Sequence, residues 1–126
     1  MTTSKTNGKF QVKIVPTAQR DLRDAALYIA KDSPVNARKF VADIRARINN
    51  VLANSPNICL PPRAYPFLAE QGYLRFSVHT NYSALWIWNG QVIEIHRILH
   101  NKRNWTLIMG GPEETAEGEN GNTILY

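Results

Sequence analysis

Residues 28–44 read YIAKDSPVNARKFVADI, and this stretch decides the fold. Within it Asp32-Ser33-Pro34 ends one helical pattern and opens another. Ser33 is the residue type that caps a helix N-terminus, and Pro34 suits the first helical position, where its missing N–H has no intrahelical bond to lose. Upstream, Ala18, Leu22, Ala25 and Ile29 recur at three and four residues, which predicts a helix over 18–31 with Gln19, Arg20, Arg23 and Asp24 on its wet side. Downstream, Ala37, Phe40, Val41, Ile44, Ile48, Val51 and Leu52 form a second apolar stripe about five turns long. Two such helices joined by so short a link pack antiparallel as a hairpin.

Ahead of the hairpin, Phe10, Val12 and Ile14 alternate with polar residues as in a half-buried strand; Pro16 is expected to end it and Thr17 to cap the first helix. Beyond the hairpin, residues 54–72 hold Pro56, Pro61, Pro62 and Pro66 without a sustained period, a connecting loop whose candidate contact residues are Arg63 and Tyr65. Strand patterns then return. Leu74, Phe76 and Val78 alternate with Arg75, Ser77 and His79, and an aromatic run from Tyr82 to Trp88 meets Asn89-Gly90, a strong hairpin signal. A two-residue Asn89-Gly90 turn would oppose Trp88 to Gln91, Trp86 to Ile93, Ala84 to Ile95 and Tyr82 to Arg97 on one face, and Ser83 to His96 on the other. The first face, with Trp86, Ile93 and Ile95, reads as core against the helices; the second leaves Ser83, Glu94 and His96 toward solvent or a partner. The fold expected is α+β: an N-terminal strand, an antiparallel helical hairpin, then a three-stranded antiparallel sheet packed on the hairpin.

The chain has 126 residues, 44% of them hydrophobic, which is one domain with enough apolar surface for a core. A single cysteine, Cys59, excludes a disulfide scaffold and a cysteine zinc site of ordinary spacing, and fits a reducing compartment. No apolar run is long enough for a membrane span, and the polar residues 1–9 are unlike a signal peptide, so a cytoplasmic protein without membrane contact is expected. The reading divides the chain into a frayed 1–8, a folded 9–109 and a flexible acidic tail, 110–126. Four of the ten acidic residues (Glu113, Glu114, Glu117, Glu119) follow Gly110 and no Lys or Arg does, so residues 1–109 carry 15 basic against 6 acidic side chains, a net +9. A body that basic favours polyanionic or acidic partners. The tail is read either as a solubilising segment or as one that folds back on this body through Ile124-Leu125-Tyr126.

The hairpin sequence at 28–44 and the ending VIEIHRILHNKRNW at 92–105 resemble the RelE/ParE superfamily of bacterial toxins, and most closely its ParE branch. The match rests on Asp32-Ser33-Pro34 with Ala37 and Phe40, and on Arg97-Ile98-Leu99-His100-Asn101-Lys102-Arg103 as the family's last strand and basic turn; it spans about residues 9 to 105. The resemblance implies the toxin of a type II toxin–antitoxin module, of the kind carried on plasmids and bacterial chromosomes and neutralised by a cognate antitoxin. Its ParE branch inhibits DNA gyrase without hydrolytic chemistry, and its RelE branch is a ribosome-dependent mRNA endonuclease. A third reading is a non-toxic protein of the same fold that binds an antitoxin.

RelE-like nucleases place an arginine directly after the tyrosine of the middle strand; here Ser83 follows Tyr82, and a serine neither clamps phosphate nor accepts a proton at neutral pH. Were the chain a nuclease, His96, Arg103 and Arg75 would be its catalytic set. As a gyrase inhibitor it would use His100, Lys102, Arg103 and Trp105 as target-binding residues, since Trp and Arg dominate protein interfaces. No cofactor is expected, and no metal, because Glu94, His96 and His100 on one strand lack a second cluster to complete a shell. Cys59 between Ile58 and Leu60 reads as a half-buried structural thiol.

Overall fold

The computed structural model describes residues 3–4 and 9–112. In chain order the strands are β1 (Thr3–Ser4), β2 (Gln11–Ile14), β3 (Leu74–His79), β4 (Tyr82–Asn89) and β5 (Val92–His100), and the helices α1 (Pro16–Ala30), α2 (Pro34–Arg47), α3 (Pro66–Glu70) and α4 (Trp105–Ile108). They build the expected α+β fold, with the sheet ordered β1-β2-β5-β4-β3. β3, β4 and β5 form an antiparallel meander, and β2 joins it parallel to β5, so the sheet is mixed. β1 pairs antiparallel with β2, so Thr3–Ser4 form a strand inside the stretch 1–8 expected to be frayed. The expected acidic tail lies outside the described residues from Glu113 on.

The helix boundaries follow capping chemistry. Ser33 takes the N-cap of α2, its hydroxyl accepting from the Asn36 N–H at 3.1 Å, with Pro34 at the first helical position. Pro16 does the same for α1: it starts the helix behind an extended Val15, and Thr17, expected as the cap, is already helical. The reason is the one that places Pro34, a residue without an N–H at a position that needs none. After Arg47 the chain widens into one π turn over Ile48–Leu52, closed by Ala53 N–H to Ile48 O at 2.9 Å, and both Ile48 and Leu52 stay in the core. Ala18, Leu22, Phe40 and Ile44 pack on Val12, Phe76, Ala84, Trp86, Ile93, Ile95 and Ile98 as the main core.

The β4–β5 register differs from the expected one. Gly90 and Gln91 form the two-residue turn, because Gly90 supplies the positive φ (68°) its first central position demands, so Asn89 opposes Val92, Trp88 opposes Ile93 and Trp86 opposes Ile95. Between Trp86 and Leu85 the register then slips, and Leu85 opposes Arg97. His96 is the extra residue of this bulge, and every later residue of β5 changes face relative to the expected pattern. Ala84 therefore meets Ile98, Ser83 meets Leu99 and Tyr82 meets His100.

Beyond Ile95 the edge of β5 has no β2 beside it, and α1 takes over. Asp21 grips Arg97 through two hydrogen bonds (2.7 and 2.9 Å) and accepts the Ile98 N–H at 3.0 Å. The second sheet face is not open, as the sequence reading had it. The segment before β3 and the chain after β5 fold over it, and Leu68, Tyr73, Leu85, Leu99 and Trp105 form a smaller core there. The 54–72 connection accordingly contains structure, a 3₁₀ turn at Pro56–Ile58 and α3.

Candidate functional site

The basic turn after β5 is held from below by a polar clamp. The Ser83 hydroxyl donates to Asn101 Oδ1 at 2.7 Å and accepts from Arg75 Nε at 3.1 Å, while Arg75 Nη2 reaches the same Asn101 oxygen at 3.4 Å. Arg75 also lies over the Trp105 ring, 4.6 Å from its centroid. From above, the Asn101 N–H donates to Asn81 O (2.8 Å), and His100 O accepts from both Arg103 N (3.0 Å) and Trp105 Nε1 (3.1 Å). His100 Nδ1 accepts the Lys102 N–H at 3.1 Å, and Asn104 caps α4. The outcome is a short loop of fixed shape that holds Lys102 and Arg103 out into solvent.

Two sequence expectations are corrected here. Ser83 is expected on an exposed face, yet it is 1% exposed: it opposes Leu99 on the face that carries the second core, with Arg75 and Asn101 bonded to its hydroxyl. Trp105 was expected on the surface and is fully buried; it stacks on Tyr65 (4.9 Å between centroids) and fills the second core, which also gives Tyr65 a packing role in place of the expected contact role. Of the four residues expected to touch a target, Lys102 and Arg103 are exposed and His100 is half-buried. His100 meets the Tyr82 ring edge to face at 5.0 Å, and Tyr82 in turn packs on Phe40. Burial raises the Tyr82 pKa, Tyr28 raises it further and the Arg103 charge opposes both. Tyr28 is 70% exposed near the end of α1, with Lys31 5.6 Å from its ring centroid.

A second polar group was only half visible in the sequence. His96 has the carboxylate partner that sequence reading missed: its Nε2 lies 3.1 Å from Glu94 Oε1, and its Nδ1 lies 3.0 Å from the Tyr73 hydroxyl. Asn89 donates to the other Glu94 oxygen at 2.6 Å. The hydrogen bond from His96, followed by that from Asn89, lowers the Glu94 pKa, and burial raises that of Tyr73. Residues i and i+2 of a regular strand share a face, which is the signal that could have paired Glu94 with His96; nothing local marks Tyr73, 23 residues away.

Of His96, Arg75 and Arg103, the structure places Arg75 beneath the turn that carries Arg103, bonded to Ser83 and Asn101, whereas His96 serves a separate network with Tyr73 and Glu94. His96 also does not oppose Ser83, since it is the bulge residue. Burial raises the Cys59 pKa against smaller opposing effects of Trp86 and Arg47, as befits a structural thiol. Among the described residues no group of three or more His, Cys, Asp or Glu side chains is placed to hold a metal ion, and no helix is long and apolar enough to cross a membrane.

The family model described as ParE toxin of type II toxin-antitoxin system, parDE, matches residues 12–105, a span from β2 to the first residue of α4. The chain belongs to this family. No curated protein matches it.

Proposed function

We propose that this ParE-family toxin acts by binding DNA gyrase and arresting its cycle of DNA cleavage and resealing, with the turn at His100, Lys102 and Arg103 as the contact. As a family member it has a cognate antitoxin for a partner. The observation that carries the gyrase reading is the clamp beneath the turn. Ser83, Asn101 and Arg75 spend their hydrogen bonds on one another, and the two exposed cations sit on a preshaped loop. A binding surface gains affinity from such preorganisation, because less conformational freedom is lost on docking. Acid–base hydrolysis of RNA needs its proton-transfer groups and phosphate cations around one point, whereas His96 and Arg75 each serve a different polar network.

The runner-up is the ribosome-dependent endonuclease, and the Tyr73–His96–Glu94 relay favours it specifically, since a carboxylate-oriented imidazole is suited to general-base work. One pair of assays separates the two. Purified protein is added to gyrase supercoiling and cleavage-complex assays, and to ribosomes programmed with mRNA, each with and without antitoxin. Antitoxin-reversible gyrase inhibition that falls at least tenfold in Lys102→Glu/Arg103→Glu, with His96→Ala fully active, is the expected result. Loss of mRNA cleavage in His96→Ala, with gyrase untouched, would replace this reading by the nuclease one.

A further inference from the structure

Between β3 and the segment that precedes α3 runs a groove of about 410 Å³ whose walls carry the guanidinium groups of Arg47, Arg63 and Arg75. None of the three has a carboxylate partner among the described residues, where the ion pairs are Lys39–Asp43, Glu94–His96 and Asp21–Arg97. Ile58 and Leu60, 60% and 64% exposed, flank the groove. The backbone edge of β3 is already engaged: Leu60 O accepts the Arg75 N–H at 3.0 Å, and Arg47 Nε donates to Ser77 O at 2.6 Å. What remains on offer to an occupant is positive charge and apolar side chains. The described part of the chain also finishes beside this groove. Arg75 lies over the ring of Trp105, the first residue of α4, and six residues later Gly111 passes so close to Phe67 of α3 that a Cβ there would overlap the ring. Phe67 is four residues from Arg63, hence within about 14 Å of it.

We propose that the chain's own acidic segment, residues 113–126, docks in this groove and masks it from other anions. Glu113, Glu114, Glu117 and Glu119 meet the arginines, and Ile124-Leu125-Tyr126 covers Ile58 and Leu60. Charge complementarity selects this occupant: four of the chain's ten acidic residues follow Gly110 with no Lys or Arg among them, while residues 1–109 carry a net +9. Reach permits it, since the seven residues from Glu113 to Glu119 span about 23 Å when extended, more than the separation of Phe67 and Arg63. Tethering favours it over a free anion, because a covalently linked segment acts at an effective concentration on the order of millimolar. Arg47 and Arg63 are exposed and take the carboxylates directly; half-buried Arg75, two of whose nitrogens serve the turn, adds its charge. Lys102 and Arg103 lie outside the groove, so the inference goes beyond the gyrase reading and holds whatever the target.

Cys59, which lines the groove, reports on its occupancy in the full chain. Alkylation of this thiol by neutral iodoacetamide should be about fivefold faster than in wild type both in Glu113→Gln/Glu114→Gln/Glu117→Gln/Glu119→Gln and in Arg63→Glu. The exposed α1 control Arg20→Glu should stay within twofold. The first two variants change the field at the thiol in opposite directions, so a rise in both comes from uncovering the sulfur and not from its ionisation. Urea midpoints matching wild type keep each comparison between folded proteins. Contact is read directly in Arg63→Lys, which keeps the charge and supplies an amine that a carbodiimide can join to a carboxylate. The expected product is a monomer with position 63 linked to one of the four glutamates. Unchanged alkylation in both variants with no such cross-link overturns the inference. Acceleration in Arg63→Glu alone also overturns it, as a local effect of that substitution. A cross-link that joins two chains assigns the groove to a second copy and overturns it as well. None of these outcomes alters the gyrase reading, which stands on its own assays.

Discussion

Ser83→Ala should loosen the basic turn without touching the core. The hydroxyl is 1% exposed and makes two bonds, one to Asn101 Oδ1 and one from Arg75 Nε. A neutral bond contributes about 1 kcal/mol and one to a charged group about 1.5–3. Asn101 is exposed and Arg75 half-buried, so water recovers part of both, which leaves a net loss of about 2 kcal/mol. For a domain of this size that is about 8 °C in Tm. The assay is urea unfolding of wild type, Ser83→Ala, Asn101→Ala and the double variant. The midpoint should fall with the slope unchanged, and the double-mutant cycle should return a coupling of about 1 kcal/mol. The antitoxin-reversible activity should weaken in step, because the same bond positions Lys102 and Arg103. A loss below about 0.5 kcal/mol, or a coupling indistinguishable from zero, would refute the clamp as the device that shapes the turn.

Trp105→Ala should cost about 3–5 kcal/mol in urea unfolding, since it empties the centre of the second core; a variant as stable as wild type would return Trp105 to the list of surface contacts. Asp21→Asn keeps one acceptor but removes the charge that pairs with Arg97, and about 2 kcal/mol should go with it, read from the same unfolding curves; full stability would mean that packing alone fixes α1 on β5. Glu94 has its pKa held below 4.5, first by His96 and then by Asn89, so the folded state binds this proton less readily than the unfolded chain. The stabilisation is complete above about pH 4.5 and is lost as pH falls through the lower folded value. Urea midpoints between pH 5 and 3 should drop more steeply for wild type than for Glu94→Gln, and parallel curves would contradict the relay.

The helical hairpin is legible in the sequence because its signals are local: a cap, a proline and two apolar stripes lie within 35 residues and act on their own neighbours. The strands are legible for the same reason. Their register is not, because it depends on two events with no periodic signature, the choice of Gly90 over Asn89 for the first turn position and the insertion of His96 as a bulge. One shift moves residues along the partner strand, and the other exchanges the faces of everything after it. Together they explain why His96 reads as the neighbour of Ser83; Ser83 reads as exposed because nothing local announces the second core that covers its face. α4 escaped notice because four residues cannot display a helical period, and Trp105 beside three polar or charged residues looks like a surface aromatic until the second face is known to need a lid.

The departure from the nuclease pattern at Ser83 is best understood together with Arg75. An arginine following Tyr82 would have to fit where Ser83 is 1% exposed, with the Arg75 guanidinium already 3.1 Å from its hydroxyl and stacked on Trp105. A cation is thus present beside this position after all, delivered from the neighbouring strand. Its hydrogen bonds to Ser83 and Asn101 and its aromatic cover fix it as part of the scaffold. A phosphate clamp needs donors that remain free until substrate arrives. Arg75 has instead given its Nε and one terminal nitrogen to the turn. The bonds that hold Arg75 in the scaffold are therefore the same bonds that shape the turn carrying Lys102 and Arg103, and replacing Ser83 tests both at once.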